Sequence, residues 1–178
     1  MSSSGPGEPP AAGRPPRLRK LGTASLTSGE TAAIRSLLEA AFGTDEEDRF
    51  TDDDWNHAIG GVHFVLELDG RPVRTGYVEA VAVSPGHQGA GHGSMLMAEV
   101  STWIAGRFEL GALGTGRHRF YERHGWRTWR GVSMVRSPDG VRPTPEDDGS
   151  ILVLATPSSP SIDLAGSISC DWRSGDVW

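Results

Sequence analysis

The 178-residue chain carries 17 Lys and Arg against 23 Asp and Glu, a net charge of −6, which argues against a general nucleic-acid binder and leaves room for a cationic ligand. It is long enough to bury one core without disulfides or a structural metal, and no apolar run reaches the roughly 18–20 residues of a membrane span. The lone Cys170 excludes an intramolecular disulfide, fits a reducing compartment such as the cytoplasm, and reads as an unreactive, partly buried thiol.

Residues 1–16, rich in Pro, Gly and Ser, predict a disordered tail with no apolar segment of a secretory signal. Residues 17–178 predict a single domain. Residues 17–24 read as a first strand. Thr27 and Glu30 have capping-box spacing, and Ile34, Leu37, Leu38 and Ala41 fall on one helical face that Gly43 would end. The acidic stretch Asp45 to Asp48, then Asp52, Asp53 and Asp54 before Trp55, reads on charge alone as a solvated loop.

Residues 62–68 (VHFVLEL) and 76–83 (GYVEAVAV) predict strands, with Asp69-Gly70 as a turn signal. Leu96, Val100, Trp103 and Ile104 have helical spacing, so 93–104 predicts a helix. A short strand at 108–113, a short helix over 117–124 ended by Gly125, and strands near 133–135 and 151–154 follow. The turn-rich SPDGVRPTPEDDG separates the last two. Alternating elements without an internal linker imply an α/β domain with a mixed sheet.

The chemistry concentrates after GYVEAVAV. There a strand runs into Gln88, Gly89, Ala90, Gly91, His92 and Gly93, and a helix starts at once. Glycines let the backbone approach a ligand, and N–H groups at a helix start attract an anion such as a diphosphate. Without Gly-Lys-Ser/Thr this is not a P-loop, and the G-x-G-x-G spacing departs from the dinucleotide fingerprint. His57, His63, His87, His92, His118 and His124 form no metal-ligand spacing, so no metal is expected.

Gln88 to Gly93 fits the Q/R-x-x-G-x-G/A signature of the GNAT acyltransferases. FTDDDW, GYVEAVAV, FELGAL, FYERHGW, PTPEDDG and the closing CDWRSGDVW together resemble the aminoglycoside 2′-N-acetyltransferases. The likeness runs from about the first predicted helix to the last residue. It implies a GNAT fold and direct acetyl transfer from acetyl-coenzyme A to an amine. Val81, Ala82 and Val83 would bind the pantetheine arm and thioester carbonyl through their backbones, and Gln88, Gly89, Ala90, Gly91, His92 and Gly93 would take the diphosphate.

An amine protonated at neutral pH lacks a lone pair, so the reaction needs a base, direct or through water. The resemblance puts Glu79 in that role and Tyr121 as the acid that protonates the departing thiolate. From residue type alone, Tyr121 could equally fill a gap between helix and sheet. A polycationic substrate implies carboxylates, which the family pattern locates at Asp54, Asp147, Asp176 and the terminal carboxylate of Trp178. Trp178 is also assigned to catalysis, and Ala80 and Thr115 to substrate contact. Asp48 adjoins the family's acidic position, which Arg49 occupies here. Trp172 and Trp178 speak against a frayed terminus.

Two departures from the family stand out. More than a dozen residues are missing between LELDG and GYVEAVAV, so these strands can form only a tight antiparallel hairpin. Residues 62–68 are then expected to move beside 76–83, in a sheet one strand smaller. The loss also leaves a homodimer open. GALGTGRHRFY is about two residues short, which makes Thr115 the nearest stand-in for a substrate-binding serine. Acetylation of another polyamine-like metabolite and non-catalytic binding of drug or coenzyme A stay open as alternatives; protein N-acetylation fits less well, because the closing tail would obstruct a peptide groove.

Overall fold

The computed structural model describes residues 23–42, 50–60, 65–68, 71–174 and 177–178, with the side chains of 57–60, 65–68, 71 and 72 left aside. The tail 1–16, most of the expected first strand, Gly43, residues 45–48, Arg49, His63, the Asp69-Gly70 turn and Asp176 lie outside the described residues. Thr23–Ser25, at the end of that expected strand, is a single 3-10 turn.

Helix α1 (Ser28–Phe42) starts where its sequence says it should. The Thr27 hydroxyl accepts the Glu30 N–H at 3.2 Å, and the Glu30 carboxylate accepts the Thr27 N–H at 3.0 Å, which satisfies two donors the helix leaves over. Helix α2 (Asp52–Gly60) corrects the reading of FTDDDW as a loop. Thr51 N–H donates to Asp54 Oδ2 at 2.7 Å and Asp54 N–H donates to Thr51 Oγ1 at 3.2 Å, a second capping box. Three Asp residues in the first turn also face the positive end of the helix dipole. Arg35 of α1 pairs with Glu39 and Asp52 and lies 5.7 Å from the Trp55 ring centre, tying the two helices together.

Strands β1 (Val65–Leu68) and β2 (Arg71–Tyr77) form an antiparallel hairpin with Leu68 opposite Arg71. The described chain thus holds two strands here, and β1 lies beside β2 as expected. The bounds of β2 differ from the sequence reading: residues 71–75, read as a connection, are strand, and pairing stops at Tyr77 instead of Val83. Helix α3 (His92–Ala105) carries the chain across to β3 (Leu110–Gly114), which runs parallel to β2. Helix α4 (His118–Glu122) follows, and Gly125 at φ 85° turns the chain out of it.

The remaining strands are β4 (Arg127–Thr128), β5 (Ser133–Ser137), β6 (Gly140–Pro143), β7 (Ile151–Ala155) and β8 (Ile168–Asp171). Of these the sequence pointed to β5 and β7. The segment read as turns contains β6. The sheet order is β4-β7-β3-β2-β1-β8-β5-β6, with β2·β3 and β5·β8 parallel and the other pairs antiparallel.

Period-2 alternation divides the core. Leu110, Ala112, Ile151 and Val153 join Val73, Trp129, Ile168, Cys170 and Trp178 on one face. Leu113 and Leu152 join Met97, Ile104 and Trp126 on the face covered by α3. Contact there is close, because a Cβ at Gly111 would lie 3.0 Å from both Leu154 Cβ and the Trp126 ring. Two of the buried indole N–H groups are satisfied: Trp126 donates to Ser101 Oγ at 3.1 Å and Trp129 to the Gly166 carbonyl at 2.9 Å.

Candidate active site

The site begins where β2 stops pairing. Val78 N–H still donates to the Ala112 carbonyl at 2.9 Å, and no ladder follows through residues 79–84. Val78 and Val81 both pack toward the α3 face, a step of three that strict alternation forbids, so the strand is irregular between them. Among the described residues, the backbone groups of Val81 and Ala82 make no hydrogen bond, although both residues are half-buried. Half-buried backbone without partners is a template for an extended ligand.

A 3-10 turn (Pro85–His87) leads from this segment into the glycine loop. The Gln88 side-chain amide donates to the Val83 carbonyl at 3.0 Å, which ties the loop back to the strand end. Gly89 and Gly91 have φ of 79° and 84°, a left-handed conformation that costs other residues roughly 1–2 kcal/mol. Gly91 is the N-cap of α3, whose first internal bond runs from Met95 N–H to the Gly91 carbonyl at 3.1 Å. The N–H groups before Met95 therefore lack helical acceptors and are available to an anion. Gly91→Val is expected to weaken coenzyme A binding about tenfold or more, measured by titration calorimetry; an unchanged affinity would separate the loop from the anion.

Tyr121 of α4 stands against the same α3-side core as Val78 and Val81, edge-on to Phe120 at 5.0 Å and to Trp126 at 6.5 Å. Burial pushes its phenol above the usual tyrosine value, and the Arg117 charge offsets part of that rise. The hydroxyl stays protonated at neutral pH, as a proton donor requires.

On the other face the chain gathers carboxylates. Glu79 Oε2 accepts a 2.7 Å bond from Arg173, and their side chains are 19% and 6% exposed. The Arg173 guanidinium lies 5.3 Å from the Tyr77 ring centre. Burial raises the Tyr77 phenol far above its ordinary value; Glu79 adds to the shift and Arg173 opposes it. Cys170, buried and close to Arg173 and Asp147, is pushed up to about 12, mainly by desolvation. The thiol is therefore unreactive at neutral pH.

Trp178 meets this group at the end of β3, and Thr115 and Asp147 are linked beside it through Ser150. Thr115 N–H donates to the Ser150 carbonyl, and Ser150 N–H to the Asp147 carbonyl, both at 3.0 Å. Gly114 admits Trp178: a Cβ there would sit 2.8 Å from the Trp178 carbonyl carbon and 3.3 Å from the Tyr77 hydroxyl. Trp178 is 8% exposed, and its indole N–H meets no acceptor among the described residues. Ala80 lies in the unpaired segment beside Glu79. Asp54 is placed differently: its carboxylate caps α2 through Thr51, and no described contact joins it to the Glu79 group.

Sequence reasoning missed Arg173, although it stands inside the quoted CDWRSGDVW. A single cation between Trp and Val residues was the available signal, because such a charge must find a carboxylate when buried. It also missed the anchor of the Asp147 loop. Ser133 donates its N–H and its hydroxyl to Asp148 Oδ1 at 2.8 and 2.7 Å, and the Thr144 hydroxyl donates to Ser133 Oγ at 3.0 Å.

These bonds hold the Asp148 carboxyl below its usual value. With the folded pKa depressed, the contribution to stability is complete above the unfolded value of about 3.9 and is lost as pH falls through the folded one. Asp148→Asn should lower the melting temperature at neutral pH and leave it nearly unchanged at low pH. An equal drop at both pH values would contradict this.

Among the described residues, no group of three or more His, Cys, Asp or Glu is arranged to hold a metal ion, and no helix is long and apolar enough to cross a membrane. Residues 46–128 match the acetyltransferase (GNAT) domain family. Over 182 residues the chain is 35% identical to the aminoglycoside 2′-N-acetyltransferase of Mycolicibacterium fortuitum, covering 90% of this chain and 91% of that one. Solved structures similar to it include the ribosomal-protein-S18-alanine N-acetyltransferase from Escherichia coli, at TM-score 0.49 and 16% identity over 78% of this chain and 94% of that one. The N-acetylglutamate synthase from Neisseria gonorrhoeae is similar at TM-score 0.43 and 22% identity, over 74% of this chain and 32% of that one. Glycine loop, crossover helix and mixed sheet thus have the GNAT acyltransferase fold, and by its identity along about nine-tenths of both chains the protein belongs to the aminoglycoside 2′-N-acetyltransferases.

Proposed function

We propose that this protein transfers the acetyl group of acetyl-coenzyme A to the 2′-amine of an aminoglycoside, which inactivates the drug, and that it does so in the cytoplasm. The observation that carries the reading is the placement of residues 79–83. The backbone of Val81 and Ala82, without hydrogen bonds among the described residues, leads into the glycine loop, and Glu79 stands just before it, paired with Arg173.

The residues present fit the acyl carrier. Backbone groups of residues 81–83 hold the pantetheine arm and thioester carbonyl, and the N–H groups of 88–93 hold the diphosphate. The bound carrier supplies the thioester. Asp147, Glu79 and the Trp178 end draw in the ammonium groups of the drug, with Thr115 and Ala80 beside them; Asp54 and Asp176 are further candidates for the same task. Glu79 takes the proton that the 2′-amine must lose, directly or through water. As the new C–N bond forms and the C–S bond breaks, Tyr121 gives its proton to the sulfur. Arg173 acts on Glu79 and not on the substrate, orienting the carboxylate through a 2.7 Å hydrogen bond.

Release of coenzyme A thiol against a panel of acceptors tests the proposal. Aminoglycosides with a 2′-amine should turn over, and those with a 2′-hydroxyl should not. Turnover of spermidine alone would move the substrate to another polyamine, and binding without thiol release would make the protein a binder.

A further inference from the structure

Helix α4, which carries Tyr121, spans five residues, too few to hold a fixed shape alone. Its N-cap, Arg117, makes no side-chain capping bond. The orientation of α4 must therefore come from bonds to the rest of the fold, and one threonine makes two of them. The Thr128 hydroxyl lies 3.0 Å from His118 Nδ1 and donates to Glu122 Oε1 at 3.1 Å. A hydroxyl has a single proton to give, and this one goes to the carboxylate. The bond with His118 is therefore donated by its Nδ1–H. Thr128 itself sits in β4, opposite the buried Leu152 of β7, so both bonds tie the helix to the sheet.

His118 and Glu122 are four residues apart and share one face of α4, while Tyr121 lies on an adjoining face. Two bonds one turn apart resist a roll of the helix about its axis. A tyrosine hydroxyl stands well outside the helix cylinder of about 2.3 Å radius, so a roll of about 10° moves it by more than about 1 Å. Phe120 and Trp126 border the Tyr121 ring, but among the described residues its hydroxyl makes no hydrogen bond that would fix it. Its place is set by the roll of α4 and the packing of the ring.

We infer that Thr128 is a positioning residue for acetyl transfer: through His118 and Glu122 it fixes where the Tyr121 hydroxyl meets the departing sulfur. The inference rests on the proposed role of Tyr121 as the acid and adds what holds that acid in place.

Steady-state kinetics of Thr128→Val, Thr128→Ser and Glu122→Ala, each alone and combined with Tyr121→Phe, test it. Thr128→Val keeps the shape and removes both bonds. It should lower kcat about tenfold, within the loss that a misplacement of about 1 Å can cause. KM for the aminoglycoside and for acetyl-coenzyme A should stay within about twofold. Thr128→Ser keeps the hydroxyl and should restore most of the rate. Glu122 is exposed, so Glu122→Ala leaves the fold intact. Losing that one bond should lower kcat about threefold. Added to Tyr121→Phe, each substitution should change kcat by less than about twofold, because the proton it positions is already gone. Wild-type kcat in both Thr128→Val and Glu122→Ala overturns the inference. So does a Thr128→Val loss that persists in full beside Tyr121→Phe, or a KM that rises in step with it. If Tyr121→Phe alone runs at the wild-type rate, the acid assignment falls and this inference with it.

Discussion

Tyr121→Phe is expected to lower kcat by about 10²-fold or more, the usual contribution of a placed general acid, while the affinity for the aminoglycoside stays nearly unchanged. The ring remains, so its edge contacts with Phe120 and Trp126 survive and the fold should hold. Only the proton is lost. Because burial raises the phenol above its ordinary value of about 10, Tyr121 adds no falling limb to the wild-type rate below that pH. Steady-state kinetics from neutral to alkaline pH check both points. A phenylalanine variant at the wild-type rate would remove Tyr121 as the acid and return it to a packing role.

Arg173→Met should destabilise the protein by about 2–3 kcal/mol, since removing one member of a buried ion pair strands the other. The figure sits below that of a fully enclosed pair because Glu79 is 19% exposed. Arg173→Lys keeps the charge and loses the guanidinium over the Tyr77 ring, so it should recover part of the loss. Adding Glu79→Gln to Arg173→Met should recover stability without recovering activity, a non-additivity that marks direct coupling. Denaturant midpoints measure these effects. A change below about 1 kcal/mol for Arg173→Met would place the pair with ordinary surface bridges.

Where local signals agreed, the sequence was readable. Thr27 and Glu30 marked the start of α1, the glycines announced α3, and Gly125 closed α4. In α2 two signals competed: the density of Asp suggested a loop, while the Thr51-x-x-Asp54 box in the same residues capped a helix. Asp residues in a first turn are favourable, and this is why the box prevailed.

The end of β2 shows a different limit. Apolar residues continue to Val83, but strand assignment depends on a partner, and β3 supplies none beyond Ala112. The departure from alternation between Val78 and Val81 becomes visible only once the two cores are known. β6 and β8 escaped notice because each has four residues and mixed polarity, and their pairing is fixed by strands distant in sequence. Several site candidates were legible only through family motifs, and of these Glu79 and Trp178 lie beside Tyr77. Arg173 was not legible, because its role depends on β8 bringing the chain back to Glu79.

A crystal structure with coenzyme A and an aminoglycoside bound tests the central claim most directly. It should place the diphosphate on the N–H groups of residues 88–93, with the 2′-amine within reach of Glu79 and the coenzyme A sulfur within reach of the Tyr121 hydroxyl. A diphosphate seated elsewhere, or a drug held with its 2′-amine turned away from Glu79, would contradict the account.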